Sequence, residues 1–580
     1  MKFSTLAEYF EKLEGTSKRL ELIDILSDLF KKAETSEIGK ICYLIQGRVA
    51  PFYEPTEIGM AENMVAVAIG RAFNKSKEEV IKLYLKKGNI GLAAEELASK
   101  YKHKGELSVT GVFEELLKIA KFEGVGTVEK KVSTLSDLLK KVNPKGAKHI
   151  VNIPLDTLRL GVGDPTILDA LSLAKHGDKS LRPTLEGGYN KTSDLGLVAE
   201  TFFKKGTTGI KSIELIVGKP VRPALAERLP SADEAIKRLG KEFAAEPKFD
   251  GFRVAVHKNK DKISLFSRNL ENTTHAFPDL VGGVEKEVKA ESAILEGEAI
   301  AYNPQTQEFL PFQETTKRRR KYKVEEMAKK LPLVLFAFDL LYLNGRDITQ
   351  KPYKGRRKLL ESIIAKDGLV IKLSEERILH KTSEITDFFN EVVSEGLEGL
   401  MLKKLDSPYI AGGRGFHWVK FKRSQAGALV DTVDCVLLGV YAGKGKRTEF
   451  GVGGVLVGVY DDKKDEFVSI TRLGTGLTDD EFRRVHEISK KLKVERKPAR
   501  VNSDIKPSFW VEPKIVLEIA SDEITRSPIH TAGRDKDGSG YALRFPRLVK
   551  FREADKRAED ATTVEEIKKL YSQQFNHRKK

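Results

Sequence analysis

The densest group of chemically capable residues in the chain is Glu246-Pro247-Lys248-Phe249-Asp250-Gly251-Phe252-Arg253. Around one lysine it sets two carboxylates, a permissive glycine and an arginine, just ahead of a run with strand character. A protonated lysine is not a nucleophile, so a reacting Lys248 needs neighbours that favour its neutral form. Arg253, Lys420 and Lys422 are cations suited to that task. They would also bind the phosphates such a lysine attacks, so one cluster would activate and position together. Taken alone, the octapeptide would also serve as a charged surface turn.

The elements that must hold this group fall into three blocks. Residues 1–215 read as helices: Thr5 and Glu8 have capping-box spacing ahead of Tyr9-Phe10, and Leu20, Ile23, Leu26, Leu29 and Phe30 follow at helical intervals. No period-two run precedes residue 215. Gly124-Val125-Gly126-Thr127 and Gly161-Val162-Gly163-Asp164 punctuate the block, with Asp164 expected as an N-cap before Pro165. Such turns can aim free backbone amides at a phosphate, and they also serve as ordinary interhelical connections. Gly218-Lys219-Pro220-Val221-Arg222-Pro223 reads as a linker. Beyond it, Arg253-Val254-Ala255-Val256-His257 and Lys262-Ile263-Ser264-Leu265-Phe266 read as strands in a mixed α/β block ending near 428. From Asp431 short strand candidates with glycine-rich turns suit a small barrel, and a helix is expected over 564–571.

A chain of 580 residues exceeds one hydrophobic core. Lys and Arg number 101 against 84 Asp and Glu, and the formal charge of +17 favours a polyanionic partner. Cys42 and Cys435 are too few and too far apart for a Cys-rich zinc site or a disulfide framework. No apolar stretch reaches bilayer-crossing length and the start lacks a secretory run, so no membrane partner and a cytoplasmic location are expected.

Lys248-Phe249-Asp250-Gly251-Phe252-Arg253 resembles the nucleotidyl-lysine motif of the ATP-dependent DNA ligases, shared with RNA ligases and mRNA-capping enzymes. Further segments follow in family order. They are Ser267-Arg268-Asn269, Leu295-Glu296-Gly297-Glu298, the run 336–345 around Phe338, Glu398-Gly399-Leu400-Met401, Trp418-Val419-Lys420-Phe421-Lys422 and Leu543-Arg544-Phe545-Pro546-Arg547. The helical block resembles the DNA-binding domain of archaeal and eukaryotic ligases, and the last block an OB-fold domain.

The resemblance implies three domains: an all-helical DNA-binding domain (1–215), an α/β nucleotidyltransferase adenylation domain (216–428), and an OB-fold β-barrel domain with a C-terminal helix (429–580). It implies that Lys248 attacks the α-phosphorus of ATP and carries AMP, and that a 5′-phosphate, 3′-hydroxyl nick in duplex DNA is sealed. Glu298 and Glu398 would hold Mg²⁺ or Mn²⁺. Phe338 would stack on adenine, with core packing as its alternative role. Glu246 would help read the base, and Arg253, Arg268, Arg414, Lys420 and Lys422 would bind the nucleotide. Arg547 is the expected contact to the leaving pyrophosphate, because Arg552-Glu553-Ala554-Asp555-Lys556 carries one residue more than the family's usual run.

Lys317-Arg318-Arg319-Arg320-Lys321-Tyr322-Lys323 suits either a loop beside the phosphate backbone or a merely solvated one. A sliding clamp fits the family as a partner, although the first block holds no Gln followed by paired aromatics. A monomer is expected. The rival readings are an RNA ligase or capping-type nucleotidyltransferase, and a non-catalytic DNA-end-binding protein.

Overall fold

The computed structural model describes residues 1–101, 105–229, 231–302, 310, 315, 317–318, 323–395, 397–422, 432–442, 451–474, 477–535, 538–552 and 555–577. The chain forms two compact units, Met1–Ile213 and Glu214–Lys580.

The first unit is helical, from Phe3–Gly15 to Leu195–Lys211, and its described residues contain no strand. In Phe3–Gly15 the buried Phe3, Leu6, Ala7, Phe10 and Leu13 recur at one helical face. The expected Thr5/Glu8 cap is absent: the helix already begins at Phe3, where the Phe3 amide donates to the Leu107 carbonyl at 2.9 Å. Asp164 is likewise no N-cap, since Gly163 takes that position. The Asp164 carboxylate accepts instead from Gln46 at 3.0 Å and Tyr189 at 2.5 Å, tying three segments of the unit together. Gly124 and Gly126 adopt left-handed φ of 80° and 79°, which shapes the turn into helix Thr127–Leu139 and leaves Val125 fully exposed. Cys42 and Cys435 are buried free thiols. Among the described residues no helix is long and apolar enough to cross a membrane.

The second unit opens with β1 (Leu225–Arg228), β2 (Phe243–Lys248), β3 (Phe252–Asn259), β4 (Lys262–Ser267), β5 (Ser292–Ala301), β6 (Leu333–Leu343), β7 (Arg346–Asp347), β8 (Ile371–Leu373), β9 (Arg377–Leu379), β10 (Gly399–Lys404) and β11 (Arg414–Lys422). These strands make two sheets. One runs β1-β11-β10-β2-β9, and the other β4-β3-β5-β6-β7 with β8 parallel to β6. The expected strands at 253–257 and 262–266 are β3 and β4, an antiparallel hairpin turning at Lys260 with φ of 52°. Helices Pro278–Glu287 and Tyr353–Ile363 cover the second sheet through Leu280, Val284, Leu360 and Ile363. Ala232–Leu239 and Thr382–Ser394 cover the first through Ala235, Leu239, Ile385 and Phe388. Between the sheets Leu215, Val221, Ile294, Leu341, Tyr409 and Trp418 form a smaller core.

A β-rich region follows: β12 (Val433–Tyr441), β13 (Gly454–Asp461), β14 (Glu466–Leu473), β15 (Lys493–Val494), β16 (Val501–Asn502), β17 (Phe509–Val511), β18 (Val516–Ala520), β19 (Glu523–Ser527), β20 (Gly540–Arg544) and β21 (Arg547–Phe551). Its inward residues, among them Val433, Cys435, Val457, Ile470 and Leu517, pack on Val564 and Ile567 of the closing helix Val564–His577. The proposed boundary at 428/429 falls outside the described residues, as does most of the basic run at 317–323. Of that run Arg318 is buried and pairs with Asp279 at 2.6 Å, so this member anchors the fold.

Candidate active site

Strand pairing brings the chemistry of the first sheet onto one face. Lys248, Gly399 and Lys422 occupy one rung across β2, β10 and β11, and Glu246, Met401 and Lys420 the next but one. Alternate residues share a face, so Lys248 and Glu246 stand together above the sheet. From the second sheet, Arg253 on β3 lies opposite Glu298 on β5. Gly251 joins the two sheets: a Cβ there would stand 2.4 Å from the Ala299 carbonyl oxygen. Only glycine lets the turn after Lys248 lie against β5.

Lys248, Glu246, Arg253, Arg268, Glu298, Phe338, Glu398, Arg414 and Lys420 line a single cavity. Lys422 is placed by its backbone in β11, while its side chain lies outside the described residues. Lys248 Nζ pairs with Glu398 Oε2 at 2.5 Å, and the Glu398 amide donates to the Lys248 carbonyl at 3.1 Å. The group in direct contact with Lys248 is therefore a carboxylate rather than one of the expected cations. Burial pushes the Glu298 carboxyl up to about 7, against the pull of Lys248 and Arg253, with Asp555 and Glu398 adding repulsion. Burial and the neighbouring Glu398 likewise raise Asp250 above the usual carboxylate range, while Lys550 opposes them. Arg253 is held by Glu296 at 2.8 Å and by the Ala224 carbonyl at 2.8 Å, which fixes its guanidinium at the cavity wall.

Phe338 is the extra residue of a β-bulge, because Glu296 pairs with Asp339 and Gly297 with Ala337. A bulge re-aims the side chain it inserts. That is why an aromatic within the apolar run 333–343 reaches the cavity, where its ring meets Trp418 edge-on at 5.8 Å. Glu246 is buried, and its Oε1 accepts from Tyr353 at 2.5 Å and Lys403 at 2.7 Å. Burial raises the Glu246 carboxyl against the attraction of Lys403.

The β-rich region closes part of the same cavity with Asp434, Arg552, Asp555, Lys556, Asp560 and Glu566. Arg547 is not among them. It opens β21 opposite Ala520, half exposed, with its guanidinium on Asp522 at 2.7 Å. Further along the strand Lys550 reaches Asp250 at 3.0 Å, and Arg552 pairs with Glu518 at 2.7 Å. Lys556 pairs with Asp434, and burial lowers its ammonium to about 8 despite that partner. In this arrangement Arg552 and Lys556 line the cavity and Arg547 does not. Glu553 and Ala554, the site of the extra residue, lie outside the described residues. Arg414 reaches Glu566 at 2.5 Å; although burial alone would raise that carboxyl, Arg414, Arg228 and Lys420 hold it down at about 2.

Sequence reasoning missed Arg228, Lys403, Lys550 and Glu566. A lysine on the inward face of β10 was the available signal for Lys403, and the basic alternation Lys550-Phe551-Arg552 for the closing strand. The cavity suits a nucleotide: Arg268 Nε is a buried donor with no acceptor among the described residues, beside further cations and an aromatic face. Glu298, Glu398 and Asp250 supply hard oxygen ligands of the kind a divalent cation takes. Among the described residues, the three ligand-type groups whose atoms lie within 4.8 Å of one another are instead Glu11, Glu14 and His149 in the helical unit, where the Lys148 ammonium already bridges the two carboxylates at 2.5 and 2.7 Å.

Comparison with known proteins shows which family the chain resembles. The family model for the ATP dependent DNA ligase domain matches residues 223–422. The DNA ligase N terminus model matches 2–172, and the ATP dependent DNA ligase C terminal region model matches 448–556. A "Probable DNA ligase" of Dictyoglomus turgidum is 51% identical over 98% of this chain and 97% of its own length. A DNA ligase of Nitrosopumilus maritimus is 42% identical over 99% of this chain and 98% of its own. "DNA ligase 2" of Thermofilum pendens is 41% identical over 99% and 97%.

Proposed function

The chain belongs to the ATP-dependent DNA ligase family, and from that premise we propose that Lys248 is the residue that carries AMP. The enzyme uses ATP and seals nicks in duplex DNA. Lys248 Nζ attacks the α-phosphorus, a P–N bond forms and pyrophosphate leaves. AMP then passes to the 5′-phosphate of the nick, the 3′-hydroxyl attacks that phosphorus, and AMP is released.

The observation that carries this assignment is the convergence on one cavity of Lys248, the carboxylates Glu298 and Glu398, and the cations Arg253, Arg268, Arg414 and Lys420. The cations bind and orient the phosphates and stabilise charge on their nonbridging oxygens. Phe338 covers the base and Glu246 reads its edge. Glu298 and Glu398 would hold Mg²⁺, with Mn²⁺ as an alternative, and the ion would offset phosphate charge. Arg552 and Lys556 take the pyrophosphate side when the last domain is closed, and that domain swings away for the nick to enter. The connecting segment 423–431 lies outside the described residues.

The three-domain division 1–215, 216–428 and 429–580 belongs to this reading, with the helical domain and its glycine turns gripping the duplex. A monomer in the cytoplasm, and a sliding clamp as partner, are further parts of it. The family match over the helical block disfavours an RNA ligase or capping enzyme.

The test is Lys248→Ala incubated with labelled ATP and metal. The variant forms no adduct, yet binds nicked DNA and seals a nick adenylated beforehand. A wild-type adduct yield would reject the assignment. Preferential sealing of RNA strands by the intact enzyme would reject the DNA substrate.

A further inference from the structure

Lys403 lies in β10, and its side chain is fully buried. Its Nζ donates to Glu246 Oε1 at 2.7 Å and to the Phe338 carbonyl at 3.0 Å. The same ammonium stands 4.7 Å from the ring centroid of Trp418 and 4.8 Å from those of Phe338 and Tyr353, distances at which a cation is attracted to a ring face. Tyr353 gives the carboxylate a second, shared hold: its hydroxyl stands 2.5 Å from the same Glu246 oxygen and also contacts Glu376, so one proton serves two carboxylates.

Packing alone does not call for a charge here. An unbranched apolar side chain would fill much the same space without desolvating an ammonium. What the ammonium adds is a simultaneous grip on a carboxylate from β2 and on the bulged backbone of β6. Those two elements belong to different sheets, so no ladder of hydrogen bonds fixes one against the other.

We propose that Lys403 is a positioning residue for nucleobase selectivity, locking the Glu246 carboxylate that reads the base edge to the Phe338 ring that covers the base face. This rests on the reading that the cavity holds the nucleotide. With Oε1 taken by Lys403, Glu246 offers its other oxygen as an acceptor. Adenine carries an exocyclic amine that donates to such an acceptor, whereas guanine places a carbonyl oxygen at the equivalent edge and is repelled. Without Lys403 the carboxylate and the ring move independently, and both discrimination and affinity for ATP fall.

The experiment measures covalent nucleotidylation of the full-length enzyme with labelled ATP and labelled GTP, comparing kcat/KM for the two. For Lys403→Met the ATP-over-GTP ratio falls at least tenfold, mainly through a higher KM for ATP. Tyr353→Phe, which keeps the ring and loses one hold, gives a smaller fall. A thermal melt checks folding. If Lys403→Met does not fold, Lys403→Gln, which keeps a donor without the charge, is expected to lower the ratio at least threefold. A ratio within twofold of wild type in a folded Lys403 variant overturns the proposal. Glu246→Ala separates the two levels of the argument. If it loses selectivity while the Lys403 variant keeps it, only the Lys403 role falls. If Glu246→Ala itself keeps the wild-type ratio, the base-reading role falls and the proposal with it.

Discussion

Lys550 Nζ stands 3.0 Å from Asp250 Oδ1, so a lysine of the last domain closes onto the residue two positions beyond Lys248. The same ammonium lies 4.0 Å from Glu398, the carboxylate paired with Lys248. Lys550 therefore offsets the charge of two acidic groups that repel each other beside Lys248. Its position follows from β21, where a bulge at Val549 sets Lys550 opposite Glu518.

Lys550→Ala should weaken closure of the last domain. Losing a partly screened ion pair costs about 1–2 kcal/mol, or roughly tenfold in the rate of self-adenylation. Sealing of a pre-adenylated nick, for which the proposed cycle moves that domain away, should fall less. Single-turnover rates for both reactions check this, and equal losses would count against the closing role.

The cavity residues of the last domain give a second contrast. Lys556→Ala leaves Asp434 buried without its nearest cation, and should slow self-adenylation on the order of a hundredfold. Arg547→Ala removes a half-exposed partner of Asp522, so a change of no more than about threefold is expected. The reverse order in a labelled-ATP assay would mean that Arg547 reaches the phosphates in an arrangement other than this one.

That contrast shows which parts of the site were legible in the sequence. The stretch 246–253 was readable because strand, turn and strand are contiguous and its chemistry is local. Phe338 was ambiguous because the apolar run 333–343 reads as core, and a one-residue bulge decides its direction. The spacing that pointed to Arg547 says nothing of the bulge at Val549, or of which face of β21 turns to the cavity, and in this arrangement Arg552 and Lys556 line the cavity while Arg547 does not. The helix start at Phe3 and the engagement of Asp164 depend on Leu107, Gln46 and Tyr189, partners distant in sequence that override local capping preference. Arg228 and Glu566 lie on elements separated by most of the unit, and only the fold brings them together.

Glu298 gives a pH dependence. Its carboxyl is raised to about 7 by burial, so the ionised form that binds a cation is the minority below that pH and dominates above it. At limiting Mg²⁺, self-adenylation should rise about tenfold per pH unit up to the region of pH 7 and then level off. Saturating metal should shift the rise to lower pH, because binding favours the carboxylate. Glu298→Gln should lose the metal-dependent part of the rise. A pH profile insensitive to metal concentration would remove Glu298 from the cation site.

Gly251→Ala tests the close approach between the sheets. The added Cβ would stand 2.4 Å from the Ala299 carbonyl oxygen and 2.8 Å from the Ile300 side chain. The first neighbour is strand backbone and cannot turn aside. Forcing the loop away should cost about 1–3 kcal/mol of stability and displace Lys248 and Asp250 together. A lower melting temperature with a disproportionate loss of adduct formation is expected. Wild-type values for both would show that the loop accommodates a Cβ.

The last prediction concerns the fragment 214–580. This unit has its own cores on both sheets and in the β-rich region, so it should fold without the helical unit. The residues proposed for the first chemical step all lie within it, and self-adenylation should stay within about threefold of the intact chain. A ligase must also hold both sides of a nick, and much non-specific affinity comes from counterions released as basic residues meet phosphates. Losing the phosphates contacted by the helical unit should lower nick affinity at least about a hundredfold at moderate salt and flatten its dependence on salt concentration. Titration of labelled nicked duplex at several salt concentrations measures both quantities for the fragment and the intact chain. Equal affinity and equal salt slope would remove residues 1–213 from DNA binding. A fragment that melts cooperatively yet forms no adduct would mean that the first step needs the helical unit, and the division of labour argued from the cavity would fail.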